Sequence, residues 1–441
     1  MGAPRYATIA RGTAKAELPP PCSIDQMQRY TMMSAERPRR SLVLPAIATI
    51  SLLLVLLGGS WGCLPGGLRP NPTPTSGPTP WPVPARVDSP AYGVNIHLWW
   101  DEWAAVRRDW PLVQDAGFAW AKQRIAWLDV EGAGPGRYEW RSADLIVEQA
   151  ERYGIKLVLR IDHPPLWAIP AVPEDGSAPM PVALDAFDDF CSVLATRYKG
   201  RVAGYQIWNE PNLAREWGGH VPDPAGYVAL LRTCYVAIKH ADPEALVITA
   251  GLAPTGSAPP EAIPDLDYLT QMHEVGASSY YDLLGLNAPG YKAPPETPPQ
   301  EAADPANPYG GHSFFCFRHV EEMRAVMERY GDSHKQVAVL EFGWHTANSP
   351  DHPDYAWFAV TPEEQADYLV RAFAYAQRNW SPWIGPMFVW NMPDPQWTPE
   401  NEEFWWAIAD PFWWGRDVDI GAWEGAAPRP AYDALKEIMK P

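Results

Sequence analysis

The stretch Val202-Ala-Gly-Tyr-Gln-Ile-Trp-Asn-Glu210 carries the pattern that decides the fold, because an apolar run typical of a buried strand ends in an acidic side chain. A helix is predicted after it, with Asp223 and Pro224 as the start signal. Short apolar runs and longer amphipathic ones alternate from Tyr92 onward, which is typical of a parallel sheet with crossover helices. Eight strands are predicted: Tyr92 to Leu98, Trp120 to Trp127, Lys156 to Asp162, Val202 to Glu210, Leu246 to Leu252, Asp282 to Ala288, Gln336 to Phe342 and Ile384 to Asn391.

Eight strand-helix units in residues 91–441 predict an α/β fold, a (β/α)₈ TIM barrel with long strand-to-helix loops. Two more helices carry clear signals, one from Ser142 to Gly154 and one that starts with a capping box of Thr361 and Glu364. An open, doubly wound sheet is the alternative, but no glycine-rich phosphate-binding turn follows any predicted strand. In a barrel, catalytic residues are expected at the C-terminal ends of the strands.

Residues 1–63 have the pattern of an export segment or a membrane anchor. Three arginines precede the apolar run from Leu42 to Leu57, and small residues and Cys63 follow it. The run is shorter than the roughly 20 residues that a spanning helix needs, and Gly62-Cys63 resembles a bacterial lipoprotein processing box. Membrane contact is therefore expected only through this segment or a lipid on Cys63. Either of two later methionines would start a conventional signal peptide: Met32 or Met33.

Residues 64–90 are rich in Pro, Gly, Thr and Ser, a composition that favours an extended linker over packed structure. The chain is thus predicted to be exported, with the domain of residues 91–441 held at or beyond a cell surface. Its formal net charge of −18 repels polyphosphate, so nucleic acid is not expected as a partner.

Tryptophan and cysteine are the informative residue types. The 23 tryptophans exceed what a soluble chain normally carries, and they indicate that a flat molecule is bound. The five cysteines show neither metal-ligand spacing nor an even framework, so neither a metal site nor a disulfide scaffold is favoured. Cys191 and Cys234 lie on consecutive predicted helices, and the sequence leaves open whether they pair.

Two of the predicted strands carry a glutamate at or next to their last residue, the fourth in Trp208-Asn209-Glu210-Pro211 and the seventh in Glu341-Phe342-Gly343. A carboxylate at the end of an apolar strand is poorly solvated, and such burial is tolerated mainly where the carboxyl has a function. Together these motifs resemble the acid/base and nucleophile motifs of the retaining glycoside hydrolases of clan A, with family 39 and family 5 the most similar. The resemblance covers essentially all of residues 91–441.

The resemblance implies hydrolysis of O-glycosidic bonds in a β-linked oligo- or polysaccharide without a cofactor. Glu341 would be the ionised nucleophile that attacks the anomeric carbon, and Glu210 the protonated acid that later deprotonates water. In a retaining mechanism the two carboxyls lie roughly 5 Å apart, and their repulsion keeps one protonated near neutrality.

Further roles are implied by the same resemblance. Asn209 would bind the 2-hydroxyl of the sugar, and Arg124 would pair with the nucleophile and keep it ionised. Trp390 would form the floor of the subsite where cleavage occurs. Tyr291 would donate to the nucleophile, although the histidine usual two residues earlier is absent, and Asn287 is the alternative for that place.

Long loops follow the third, sixth and eighth predicted strands, and loops of this length are usually functional: His163 to Ala183, Lys292 to Phe315 and Met392 to Pro430. Trp167 in the first of them and Trp344 just after the seventh strand are candidates for stacking on sugar rings. The loop after the eighth strand contains six: Trp397, Trp405, Trp406, Trp413, Trp414 and Trp423. Three histidines near strand ends are interpreted as hydrogen-bonded side chains rather than catalysts or metal ligands: His97, His163 and His345. Two alternative functions stay open, a non-catalytic carbohydrate-binding or cell-wall protein on the same fold and a transglycosylase.

Overall fold

The eight predicted strands are all present, run parallel and pair in chain order, and the first also pairs with the last. The sheet is therefore closed, which confirms the TIM barrel and shows that the doubly wound alternative is wrong. The strands are β1 (Ala91–Ile96), β2 (Trp120–Ala126), β3 (Lys156–Asp162), β4 (Gly204–Ile207), β5 (Leu246–Thr249), β6 (Leu283–Asn287), β7 (Gln336–Phe342) and β8 (Ile384–Val389).

A computed structural model describes residues 86–99, 105–173, 180–346, 353–411, 413, 428–438 and 440. All of these belong to one unit of the chain, Pro70–Pro441. The predicted export segment with Cys63, the linker as far as residue 85, Trp414 and Trp423 lie outside the described residues. No helix within the described ranges is both long and apolar enough to cross a membrane.

Helices follow the strands and cover the outside of the barrel. The described helices are α1 (Trp110–Asp115), α2 (Trp127–Glu131), α3 (Arg141–Arg152), α4 (Leu184–Arg197), α5 (Pro224–Ala241), α6 (Asp265–Glu274), α7 (Pro299–Ala302), α8 (His319–Arg329), α9 (Pro353–Ala356), α10 (Pro362–Asn379), α11 (Glu402–Trp406) and α12 (Pro430–Glu437). Single helical turns also occur at Ala105–Asp109, Leu166–Ala168, Ala214–Glu216 and Ala277–Ser279.

The predicted helix starts are confirmed in atomic detail. The Asp223 side chain accepts the backbone N–H of Ala225 at 3.0 Å, and Pro224 is the first residue of α5. At α10 the capping box is complete, because Thr361 Oγ1 accepts from Glu364 N at 3.1 Å while Glu364 accepts from Thr361 N at 2.8 Å.

Apolar side chains on alternate strand positions divide the core into an inner and an outer part. The outer part lies between strands and helices and includes Trp110, Trp127 and Phe373. The inner part fills the barrel and includes Trp120, Leu340 and Phe388. Because this inner plug occupies the N-terminal end, the polar residues further along the same strands lie toward the C-terminal opening.

A disulfide joins Cys191 on α4 to Cys234 on α5, a pairing that the sequence left open. The two helices are consecutive and in contact, so the bridge ties neighbouring crossover units 43 residues apart in sequence. The expectation against a disulfide scaffold rested on the odd number of cysteines. That count says nothing of whether two of them lie on helices that face each other.

Candidate active site

A cavity of about 710 Å³ opens at the C-terminal ends of the strands. Its lining includes both predicted glutamates together with Asn209, Asn287 and Trp390. The barrel thus brings residues at the ends of β4, β6, β7 and β8 to one place, although two of them, Asn209 and Trp390, are 181 positions apart in sequence. Within the described residues no group of three or more His, Cys, Asp or Glu side chains could hold a metal ion.

Glu210 lies just beyond β4, and the strand ends three residues earlier than predicted. Trp208 and Glu210 both have left-handed backbone conformations, with φ of 70° and 40°, so the chain cannot continue the extended strand. Such a conformation costs of order 1–3 kcal/mol for a non-glycine residue and is found mainly at functional sites. The Glu210 N–H is held by the Gly251 carbonyl at 3.1 Å, which fixes this turn against the residues that follow β5.

The Glu210 carboxyl has one neutral and one cationic partner. Asn287 donates to its Oε1 at 3.0 Å, and Arg215 lies 3.3 Å from its Oε2. Its side chain is only 18% exposed, and burial together with the charge of Glu341 raises the pKa of Glu210 to about 7, against the opposing effect of Arg215. A carboxyl with a raised pKa keeps its proton closer to neutral pH, which suits a proton donor.

Glu341 reaches the cavity because the pairing register of β7 shifts against both neighbouring strands, β6 and β8. Leu340 belongs to the apolar plug inside the barrel, and strict alternation would turn the next residue outward. The register shift re-aims Glu341 inward, as a β-bulge does. Irregularities of this kind are over-represented next to active sites.

Two cations meet a single oxygen of Glu341. Lys122 Nζ lies 3.0 Å and Arg160 Nη1 3.4 Å from Oε1. The Lys122 side chain is 3% exposed, so burial and the nearby Arg160 lower its pKa to about 8, while Glu341 raises it. Within the described residues Oε2 of Glu341 has no partner, so this oxygen is the one left to react with a ligand.

Arg160 connects the nucleophile candidate to the end of β3. Its Nη1 also donates to Asn209 Oδ1 at 3.3 Å, and its Nε lies 2.8 Å from Asp162 Oδ2. His163 Nδ1 contacts the other Asp162 oxygen at 2.9 Å, and that carboxylate raises the pKa of His163. The network therefore orients Asn209 and Glu341 through the same guanidinium.

The predicted pairing of Arg124 with the nucleophile is wrong. Lys122 and Arg124 both lie on the inward face of β2, but Lys122 is one layer deeper and occupies the position beside Glu341. Arg124 lines the cavity nearer its mouth and forms no ion pair with Glu341 in this part of the described chain.

The expected contact of Tyr291 with the nucleophile is also not observed. The Tyr291 hydroxyl points to the Pro254 carbonyl, 3.5 Å away, and the ring packs edge-on against Phe315 and Phe358. Tyr291 lines the same cavity, and its pKa is raised first by burial and then by the charges of Asp265 and Glu210, not by that of Glu341. Asn287, the alternative for this place, likewise contacts Glu210 rather than Glu341.

The predicted tryptophans divide into two groups. Trp390, Trp397 and Trp406 line the cavity. Trp344 is fully buried and donates to the Ala293 carbonyl at 2.9 Å, under Gly290, where a Cβ would clash with the indole. Trp167 donates to the Glu131 carbonyl at 2.9 Å and packs edge-on against Trp127. Neither Trp344 nor Trp167 lies among the described residues that line the cavity, so the structure does not bring them together with the two glutamates.

Three charged residues of the site were missed by the sequence analysis: Lys122, Arg160 and Arg215. Lys122 and Arg160 stand inside predicted apolar strands, and a charge in such a strand must be paired when it is buried. That signal was present in the sequence. Arg215 lies in a single helical turn after β4 and is 73% exposed, and no feature of the sequence distinguishes it from an ordinary surface arginine.

No protein-family model and no curated protein matches the chain. Solved structures do share its fold. A family 39 glycoside hydrolase from the gut symbiont Bacteroides cellulosilyticus WH2 superposes with a TM-score of 0.54 at 21% identity, over 80% of this chain and 64% of that one. A glucosidase from Croceicoccus marinus gives 0.53 at 14% identity, over 80% and 68%. Xylanase 10B from Thermotoga petrophila RKU-1, in complex with xylobiose, gives 0.50 at 15% identity, over 79% and 93%.

These structures define the class of the fold. The chain spans about two thirds of the length of the Bacteroides enzyme and nearly all of the xylanase. The resemblance predicted from the two glutamate motifs is confirmed at the level of the fold, because the structural neighbours include family 39 glycoside hydrolases.

Proposed function

We propose that the chain is a retaining glycoside hydrolase that cleaves O-glycosidic bonds in a β-linked glycan. The observation that carries this proposal is the unequal environment of two glutamates in one cavity. Burial and a neighbouring negative charge raise the pKa of Glu210 to about 7, whereas two cations contact one oxygen of Glu341. One group that can give a proton beside one that can attack is the requirement for retaining hydrolysis.

In the first step, Oε2 of Glu341 forms a bond to the anomeric carbon and the bond from that carbon to the leaving oxygen breaks. The leaving oxygen takes the proton of Glu210, so that a glycosyl ester on Glu341 and an ionised Glu210 result. Lys122 and Arg160 hold Oε1, which leaves Oε2 directed to the sugar.

In the second step, Glu210 removes a proton from water as the water oxygen attacks the anomeric carbon, and the ester bond to Glu341 breaks. Asn209, whose Oδ1 is held by Arg160, has its amide nitrogen available for the 2-hydroxyl of the sugar. Trp390 provides an aromatic surface in the same cavity for an apolar sugar face.

The structural neighbours support the substrate class. The Bacteroides protein is a family 39 glycoside hydrolase, and the Thermotoga xylanase was solved with xylobiose. Export of the chain is also part of the proposal, and the Cys191–Cys234 disulfide supports it because such bridges persist in oxidising compartments.

The test is a screen of aryl β-glycosides and β-linked polysaccharides, with the anomer of the first-formed product identified by ¹H NMR before mutarotation. Net retention is the expected result. Release of the inverted anomer would contradict the two-step mechanism, and binding of sugars without any turnover would favour the non-catalytic alternative. Added alcohol acceptors divert the ester to new glycosides, and products dominated by transfer at low acceptor concentration would favour the transglycosylase.

A further inference from the structure

One side of the cavity carries polar groups that the proposed reaction does not use. We call it the His97–Arg124 wall, formed by His97, Arg124 and Trp397, all of which line the cavity. His97 follows β1, Arg124 lies on β2 and Trp397 is in the loop after β8. Because β1 neighbours both β2 and β8 in the closed sheet, these three residues form one continuous surface.

Arg124 differs from the other cations of the cavity. Lys122, Arg160 and Arg215 each have a carboxylate partner within 3.4 Å. Within the described residues the guanidinium of Arg124 makes no hydrogen bond or ion pair, and the one side chain that bonds to this residue, that of Gln123, donates to its backbone carbonyl. A half-buried guanidinium loses hydrogen bonds to water and normally replaces them with hydrogen bonds to a partner. The vacant donors of Arg124 therefore point to a ligand.

Neither Asp162 nor Asp129 supplies that partner. Asp162 is engaged by Arg160 and His163, and Asp129 attracts Arg124 electrostatically without an ion pair between them. The five N–H donors of the Arg124 side chain therefore face the cavity or solvent.

His97 gives a second, independent observation. Its Nε2 is buried without a hydrogen-bond partner among the described residues, and its ring lies 4.7 Å from that of Trp397. Burial and then four surrounding cations, led by Arg124, lower the pKa of His97 to about 3. The imidazole is therefore neutral, and Arg124 has the largest effect of the four cations that act on it.

We infer that the His97–Arg124 wall binds an anionic substituent of the substrate, namely the carboxylate of a uronic acid residue. The planar guanidinium fork matches a carboxylate in geometry and charge, the neutral imidazole adds a hydrogen bond, and Trp397 supplies a stacking surface for the sugar ring. A neutral hydroxyl would leave the charge of Arg124 uncompensated. This inference refines the proposed function by naming its substrate class and rests on it for the reaction.

The net charge of −18 does not oppose this assignment. Salt screens exposed charges over about 8 Å at physiological ionic strength, whereas the wall acts on a ligand at hydrogen-bond distance. An ester sulfate has similarly charged oxygens, so a sulfated sugar is included in the test.

The test measures binding rather than turnover. The affinity of the full chain for D-glucuronate, D-glucose and D-glucose 6-sulfate is determined by calorimetry or ligand-observed NMR, for the parent protein and for Arg124→Gln. We expect glucuronate to bind roughly tenfold or more tightly than glucose in the parent, because one charge-assisted hydrogen bond contributes about that much affinity. In Arg124→Gln this preference should fall to within about threefold.

Two further variants control for charge and folding. Arg152→Gln on α3 removes the same charge from an exposed position outside the cavity and should keep the glucuronate preference. Arg124→Lys retains the charge without the fork and should restore part of the preference. An unchanged unfolding temperature of Arg124→Gln would show that the protein still folds.

The outcomes separate this inference from the proposed function. Equal affinity for glucuronate and glucose in the parent, or a preference that survives Arg124→Gln, overturns the subsite. Tighter binding of the sulfate than of the carboxylate overturns the uronate assignment. Glucuronate binding that depends on Arg124, in a protein that hydrolyses none of the screened glycosides, supports the subsite and contradicts the proposed hydrolase.

Discussion

Glu210 and Glu341 have the same exposed fraction, 18%, and yet their charged neighbours differ in number and in burial. Glu210 has an amide on one oxygen and an exposed arginine near the other, with the negative charge of Glu341 acting on it. Glu341 has the buried Lys122 and the largely buried Arg160 on one oxygen. The difference teaches that the exposed fraction alone does not assign an acid or a nucleophile, because two carboxyls of equal exposure have different charged and neutral partners.

Replacement of the nucleophile candidate should have the largest effect. Glu341→Gln keeps the size of the side chain but cannot form a glycosyl ester, so kcat/KM on aryl β-glycosides should fall on the order of 10⁴-fold or more. Glu301→Gln, at an exposed position of α7, is the matched control and should leave the rate unchanged. Retention of a tenth of the parent rate by Glu341→Gln would remove Glu341 from the mechanism.

Replacement of the acid candidate should have an effect that depends on the leaving group. Glu210→Gln cannot donate a proton, so cleavage of an alkyl β-glycoside should slow by about 10²–10⁴-fold. A 4-nitrophenol leaving group needs no proton, and the ester on Glu341 should then accumulate because its hydrolysis lacks a base. Intact-mass spectrometry after mixing detects this ester. Equal losses on both substrates, with no ester, would show that the two glutamates do not differ in role.

The cations on Glu341 can be tested through Lys122→Met, which removes the charge and keeps the length. Loss of one charge-assisted hydrogen bond, of about 1.5–3 kcal/mol, should lower kcat/KM roughly 10- to 100-fold. Burial is the main cause that lowers the pKa of Lys122 to about 8, so the folded protein holds this charge at a cost. Its removal should therefore leave the unfolding temperature within about 3 °C of the parent. Lys199→Met at an exposed position is the control. A large drop in unfolding temperature with an unchanged rate per folded molecule would make Lys122 a structural residue only.

Much of the fold could be predicted because it depends on periodicity along the chain. Strands such as Lys156–Asp162 and Gln336–Phe342 match their predicted bounds, and the start of α10 follows from local capping chemistry. Both glutamates reach one cavity because every strand of a parallel barrel ends at the same side. The location of both glutamates at the ends of β4 and β7 could therefore be predicted from the sequence alone.

The partners of these glutamates were harder to predict because they depend on depth and register. Lys122 and Arg124 share one face of β2, and only the stagger of the strands decides which of them lies beside Glu341. Glu341 itself faces inward through a register shift that strict alternation from Leu340 does not predict. Trp344 is buried because Gly290 makes room for its indole, a contact between residues 54 positions apart in sequence.

The smallest expected effect concerns Arg215, which is 73% exposed and faces Glu210 Oε2. Its charge opposes the burial that raises the pKa of Glu210, so Arg215→Gln should move that pKa upward from about 7. The acid form acts first, so activity falls as pH rises through this pKa, and the alkaline limb of kcat/KM should shift a few tenths of a pH unit higher while the acidic limb stays. Salt near 1 M should reduce the difference from the parent, because exposed charges are then screened within about 3 Å. A downward shift of the alkaline limb would mean that Arg215 does not act on Glu210 through its charge.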